Sequence, residues 1–104
     1  MTALDKIQKQ VSDNPIIIYM KGTPDMPMCG FSSKAVEALK QCGKEFAYVN
    51  VILDSEIMQE LPNFKNWPTF PQVYIKGELI GGCDITIQLF ESGELKKMID
   101  EATS

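Results

Sequence analysis

Cys29 is the side chain of this sequence best placed to do chemistry. In Met28-Cys29-Gly30-Phe31-Ser32 the thiol follows a Pro-rich stretch and opens a helical pattern. Unpaired N–H groups and the positive end of the dipole stabilise a thiolate at a helix N-terminus, so Cys29 is expected to be acidic and nucleophilic. Three residues on, where a disulfide oxidoreductase carries its resolving thiol, stands Ser32. A thiolate without that neighbour suits two jobs: exchange with an external thiol, or ligation of a metal centre.

The remaining composition narrows the choices. The chain has 104 residues, three cysteines and no histidine. Without histidine there is no Cys–His activation, no imidazole acid–base chemistry and no His-ligated zinc. Cysteines at 29, 42 and 83 form no C-x-x-C pair, and their odd number argues against a secreted disulfide framework. One chain cannot supply four thiolates, which excludes a Cys₄ zinc or iron–sulfur site within a single subunit. A net charge of −4 with no basic stripe gives no footprint for nucleic acid. The apolar run at 16–20 is too short to span a bilayer, and the N-terminal residues show no secretory or transit pattern, so a cytoplasmic location is expected.

The elements that must position Cys29 follow from periodicity. Leu4, Ile7 and Val11 predict a helix that ends at Asn14-Pro15, and Ile16 to Met20 reads as a buried strand. Residues 21–28 carry one Gly and two Pro and read as a loop. Phe31, Ala35, Ala38 and Leu39 predict a helix over 30–41 that Gly43 stops, and 45–51 alternates as a strand. Ser55 is the expected cap of a short helix to about Leu61, disturbed by Pro62. A hairpin of strands follows, 72–75 and 79–81, then a helix capped by Asp84 and stopped at Gly93, and a last helix carrying Leu95, Met98 and Ile99. The order αβαβαββαα, over one domain at 1–104, predicts an α/β protein with a four-stranded mixed sheet covered by helices on both faces. That is the thioredoxin-like layout.

Three loops should meet at one edge of this sheet: the Cys29 loop, 67–71 and 81–84. Pro71, just before a strand, is a candidate for a cis bond that would expose the N–H and C=O of Phe70 to an extended peptide. Gly81-Gly82-Cys83-Asp84 precedes a helix whose free N–H groups can hold a carboxylate, while the Asp84 carboxylate can accept an ammonium. Lys21 adds a positive charge at the mouth of the first strand. These groups suit a small zwitterionic thiol peptide with an extended middle, and glutathione fits that description. The plainer readings are a buried filler for Cys42, sheet packing for Trp67, and flexible apolar contacts within the loop for Met26 and Met28.

Lys21-Gly22-Thr23-Pro24, Cys29-Gly30-Phe31-Ser32, Trp67-Pro68-Thr69-Phe70-Pro71-Gln72 and Gly81-Gly82-Cys83-Asp84 together resemble the signature of the CGFS-type monothiol glutaredoxins in their bacterial stand-alone form. The resemblance spans roughly the whole chain. It implies a thioredoxin-like fold that binds glutathione and, as a homodimer, a bridging [2Fe–2S] cluster. It also implies a role in cluster biogenesis, transfer and iron homeostasis, with BolA-like proteins and apo iron–sulfur proteins as partners. By the same resemblance Lys21, Phe70, Cys83 and Asp84 inherit the glutathione contacts, and Cys29 inherits the catalytic position and the metal ligand. One position departs: many relatives carry an Arg in the helix before Trp-Pro, toward the glycine carboxylate of glutathione, where this chain has Met58. Gln59 and Lys65 are the nearby replacements, and weaker binding on that side is the expectation.

Ligand counting makes a shared cluster reasonable, since two Cys29 thiolates and two glutathione thiolates reach four sulfurs. The alternative is a glutathione-dependent thiol–disulfide oxidoreductase, in which Cys29 attacks a glutathionylated protein and free glutathione regenerates it. A third reading is a regulator that senses iron through a BolA-like partner. Cys83 carries two readings as well, backbone contact to glutathione or a redox bond to Cys29.

Overall fold

The computed structural model describes residues 2–104. Helix α1 spans Ala3–Asp13 and is opened by a reciprocal cap, in which Thr2 accepts from the Asp5 N–H and Asp5 accepts from the Thr2 N–H. Ile7 and Val11 are its buried face, whereas Leu4, expected on the same stripe, is exposed. The strands are β1 (Ile16–Met20), β2 (Ala47–Asn50), β3 (Gln72–Ile75) and β4 (Glu78–Gly81), and the remaining helices are α2 (Gly30–Gln41), α3 (Ser55–Phe64), α4 (Cys83–Ser92) and α5 (Glu94–Thr103). The sheet order is β2-β1-β3-β4, with β1 parallel to β2 and antiparallel to β3, and β4 antiparallel to β3. This is the thioredoxin-like arrangement that the element order predicts.

Every residue of β1 is buried because both faces of the strand are covered. Alternation sends Ile16, Ile18 and Met20 to one face, where they meet Ala35, Val36 and Leu39 of α2 and Leu95 and Ile99 of α5. It sends Ile17 and Tyr19 to the other, where Ile7 and Val11 of α1 and Ile57 and Leu61 of α3 close over them. Each such side chain contributes roughly 1.5–3 kcal/mol on burial. The β1 strand is thereby fixed, and so is the point at which the chain leaves it at Lys21.

Several boundaries differ from the sequence reading, among them those of β2 and α3. Strand β2 is shorter than 45–51, because Asn50 accepts from the Ile52 N–H (3.1 Å) and turns Val51–Leu53 into a 3-10 turn. Helix α3 is capped by Asp54 rather than Ser55: the carboxylate accepts from the Ile57 N–H (3.1 Å) and pairs with Lys6. That helix also runs through Pro62 to Phe64. Proline in a helix interior costs about 3 kcal/mol, and here the burial of Ile57 and Leu61, with Phe64 tilted against Tyr74 at 6.0 Å, offsets it.

Candidate functional site

The C-terminal end of β1, the start of α2, the side of α3, residues 67–71 and the start of α4 enclose a cleft of about 810 Å³. Lys21, Cys29, Phe70, Cys83 and Asp84, the five candidates from sequence, all line it. Each is brought there by a separate local device.

Cys29 is the N-cap residue of α2, with extended backbone (φ −150°, ψ 135°), so its sulfur lies where the helix leaves N–H groups without partners. The Ser32 backbone N–H first, then that of Phe31, the Lys21 charge and the Ser32 side chain hold the thiol below its ordinary range, with burial opposing. The other two thiols are different. Burial pushes Cys42 up, and it donates to the Ala38 carbonyl inside the core as a filler, as its position implies. Burial and then Asp84 push Cys83 up.

The stretch 21–28 is more ordered than a Pro-rich loop suggests. Gly22 and Pro27 pair as an antiparallel bridge, the Met28 N–H donates to the Lys21 carbonyl (2.9 Å), and Thr23 and Met26 close the turn. Gly22 is required here: its φ is +94°, and a Cβ would stand 2.5 Å from the Met26 oxygen. The backbone on either side is anchored by side chains from distant elements. Asn50 accepts from the Gly22 N–H (3.0 Å), Ser32 accepts from the Lys21 N–H (3.3 Å), and Lys40 donates to the Pro24 carbonyl (3.2 Å). Met26 and Met28, expected as contacts within the loop, are instead exposed at 75% and 71%.

Residues 67–71 form the middle wall, and the Phe70–Pro71 bond is cis. The fully buried Gln72 pins this wall, its amide donating to the carbonyls of Trp67 (2.8 Å) and Thr69 (3.3 Å) while its oxygen accepts from the Tyr74 hydroxyl (2.8 Å). Trp67 lines the cleft instead of the sheet. Its indole lies against Gly82, where a Cβ would come within 3.3 Å of Nε1 and 3.1 Å of the Pro71 oxygen. Among the described residues its buried N–H has no acceptor.

Helix α4 is capped by Gly82, without a side-chain bond, and not by Asp84. The sharp turn at Gly81 (φ +143°) starts the helix two residues earlier than expected, so Asp84 sits in the first turn with its carboxylate exposed. An uncapped helix start and a carboxylate one residue into it can together receive the carboxylate and ammonium of an α-amino acid.

Sequence periodicity placed Phe31 on the buried stripe of α2, but it is 59% exposed on the rim of the cleft. Pro62 and Ile85 also line the cleft without having been singled out. The sequence reading gives Asn50 no place in the site and quotes Gln72 only as the end of the Trp67–Gln72 motif, without the anchoring role that the structure shows. Among the described residues no group of three or more His, Cys, Asp or Glu side chains could hold a metal ion.

Residues 16–80 match the model of the glutaredoxin family. The chain belongs to that family. Two relatives, each called Glutaredoxin 4, come from Buchnera aphidicola subsp. Schizaphis graminum and Escherichia coli K12. The first is 57% identical over 98% of this chain and 95% of its own length, the second 52% identical over 99% and 90%. The crystal structure of a buckwheat glutaredoxin–glutathione complex superposes with a TM-score of 0.86 at 29% identity, over 97% of this chain and 90% of that one. In this glutaredoxin Ser32 occupies the position of a second thiol, and no helix among the described residues is long and apolar enough to cross a membrane.

Proposed function

We propose that this glutaredoxin binds glutathione in the cleft and carries a [2Fe–2S] cluster as cargo between two copies of itself. The observation behind the reading is the contrast among its thiols: Cys29 is acidified and partly exposed in the cleft, whereas Cys42 in the core and Cys83 in the cleft wall are both buried, and burial favours their protonated form. A soft anionic sulfur fits one iron ligand, and one chain offers no second. Glutathione completes the set. Asp84 and the start of α4 take its γ-glutamyl end, Phe70 and Cys83 meet its middle through their backbones, and Lys21 stands beside its thiol. The similarity to a buckwheat glutaredoxin solved with glutathione supports glutathione as the ligand. Such a carrier works in the cytoplasm, delivering clusters to apo iron–sulfur proteins and pairing with BolA-like proteins in iron homeostasis.

The acidity of Cys29 also favours a second reading, a monothiol oxidoreductase. Cys29 would attack the glutathione sulfur of a mixed disulfide, releasing the protein thiolate, and a second glutathione would then free Cys29 as glutathione disulfide.

Anaerobic purification separates the two. With glutathione present, the carrier is brown and dimeric, Cys29→Ser is colourless and monomeric, and removing iron releases monomers. Metal carried by a single subunit, or retained after glutathione is stripped away, refutes the carrier. A colourless wild type that rapidly reduces a glutathione mixed disulfide establishes the enzyme instead.

A further inference from the structure

The Lys21–Gly22 peptide unit is bonded at both ends. Its carbonyl accepts from the Met28 N–H (2.9 Å), and its N–H donates to the side-chain oxygen of Asn50 (3.0 Å). The unit is planar, so fixing one end fixes the other. Met28 immediately precedes Cys29, and Lys21 is the only cation among the residues that line the cleft. One peptide plane therefore sets the backbone leading to the lysine and the backbone leading to the thiol, and Asn50 holds that plane from outside.

The sheet explains how Asn50 gets there. Strands β1 and β2 run parallel with Asn50 opposite Met20, so its side chain lies beside the residues to which β1 leads. The chain then turns away through Val51–Leu53 instead of continuing the ladder. The Asn50 oxygen stands in for the backbone carbonyl of a continued strand: it accepts the Gly22 N–H, and also the Ile52 N–H (3.1 Å) that opens the turn. The other ties on 21–28 do not replace it. The Gly22–Pro27 bridge and the Thr23–Met26 bonds lie within the segment and do not fix it to the rest of the protein. Lys40 reaches the Pro24 carbonyl (3.2 Å) with a side chain that is 43% exposed, and Ser32 accepts the Lys21 N–H (3.3 Å), one peptide unit earlier.

We propose that Asn50 is a positioning residue for glutathione chemistry at Cys29: through the Lys21–Gly22 peptide it keeps the lysine and the thiol in the relation that a glutathione sulfur must meet. Asn50 does not line the cleft and acts through Gly22, Lys21 and Met28. This rests on the glutathione reading above, and both the carrier and the oxidoreductase require that meeting of sulfurs.

The probe reaction is attack of the Cys29 thiolate on glutathione disulfide, which forms the Cys29–glutathione disulfide and releases one glutathione thiolate. Asn50→Ser separates the two bonds of Asn50, because a serine hydroxyl can accept the Ile52 N–H two residues on but is too short to reach Gly22. Asn50→Asp keeps an oxygen acceptor in the same place. In the reduced protein, hydrogen exchange followed by NMR reads the Met28 amide. Mass spectrometry reads modification of Cys29 by glutathione disulfide and, separately, by iodoacetamide, which needs no seat in the cleft. Asn50→Ser should exchange the Met28 amide about tenfold faster and react with glutathione disulfide about tenfold more slowly, with alkylation within about threefold of wild type. Asn50→Asp should return all three to within about threefold of wild type. Met28 exchange or a glutathione disulfide rate left unchanged by Asn50→Ser overturns the proposal. So does equal slowing of both reagents, or an Asn50→Asp no better than Asn50→Ser; in each case the glutathione reading stands. A wild-type Cys29 that reacts with glutathione disulfide no faster than with hydroxyethyl disulfide overturns the glutathione reading and this proposal together.

Discussion

Gln72 is where stability and ligand binding can be pulled apart. Its side chain is fully buried and joins the cleft wall to the core: two carbonyls, of Trp67 and Thr69, on one side and the Tyr74 hydroxyl on the other. Gln72→Met keeps most of the volume and removes every one of those bonds. A stranded buried polar group costs about 1–3 kcal/mol. The Tyr74 hydroxyl is fully enclosed and bears the upper part of that range, while the carbonyls belong to a partly exposed segment and recover water. The bond to Thr69 is long at 3.3 Å and adds little. The sum is roughly 3 kcal/mol. Tyr74→Phe removes only the hydroxyl, strands one oxygen of Gln72, and should cost about 1–2 kcal/mol while the cleft wall stays pinned. Urea unfolding followed by far-ultraviolet circular dichroism measures both stabilities, and glutathione titration measures both affinities. Affinity should fall about tenfold in Gln72→Met and stay near wild type in Tyr74→Phe. If the two variants lose affinity equally, or if Gln72→Met costs less than about 1 kcal/mol, the reasoning is wrong.

The pH dependence of Cys29 follows from its lowered pKa: alkylation by iodoacetamide should rise through a midpoint below that of the unfolded chain. The thiolate thus adds stability at a pH above the unfolded thiol's pKa, and that contribution is lost as pH falls through the folded value; a folded midpoint equal to the unfolded one contradicts it. Ser32→Ala and Ser32→Cys should each lose about 1 kcal/mol, since neither replacement is a good acceptor for the Lys21 N–H, while only Ser32→Cys gains dithiol turnover; redox assays and urea unfolding distinguish the two effects. Gly22→Ala should destabilise by more than about 1 kcal/mol, because strain at φ +94° adds to a clash with the Met26 oxygen, and thermal unfolding without loss would remove the case for an ordered 21–28 turn.

Much of the fold was legible because it is carried by short-range pattern. The β-branched run of β1, the 3.6-residue spacing of α2 and the glycine stops at Gly43 and Gly93 each announce themselves within a few residues. The five candidate residues were legible for a related reason, since each adjoins a strand end or a helix start that topology must bring to one edge. What escaped were effects settled across the chain. Phe31 obeys the helical period yet points out, since the first turn of α2 overhangs the cleft. Pro62 reads as a stop but is carried within α3 by side chains that the sheet holds from below. Asp84 has the chemistry of a cap, but the conformation of Gly81 decides where α4 begins. The reach of Asn50 to Gly22, over 28 positions, has no local signature at all.

Ser32 shows why a missing thiol is not simply an absence. As the residue three on from Cys29 it removes the partner that would close a disulfide, and that much can be read from spacing. In the structure it is wholly buried, and its oxygen receives the Lys21 N–H while its own N–H and hydroxyl favour the Cys29 thiolate. One side chain therefore ties the end of β1 to the start of α2, holding the lysine and the thiolate in a fixed relation. Sulfur at this position would be larger and a weaker acceptor, so a dithiol version of the same cleft would hold Lys21 less firmly. Restoring the second thiol thus trades positional order at the cleft for redox turnover. The serine suits a site that must keep one thiolate waiting for an external ligand, because it withholds the internal competitor and strengthens the surroundings that keep Cys29 ionised.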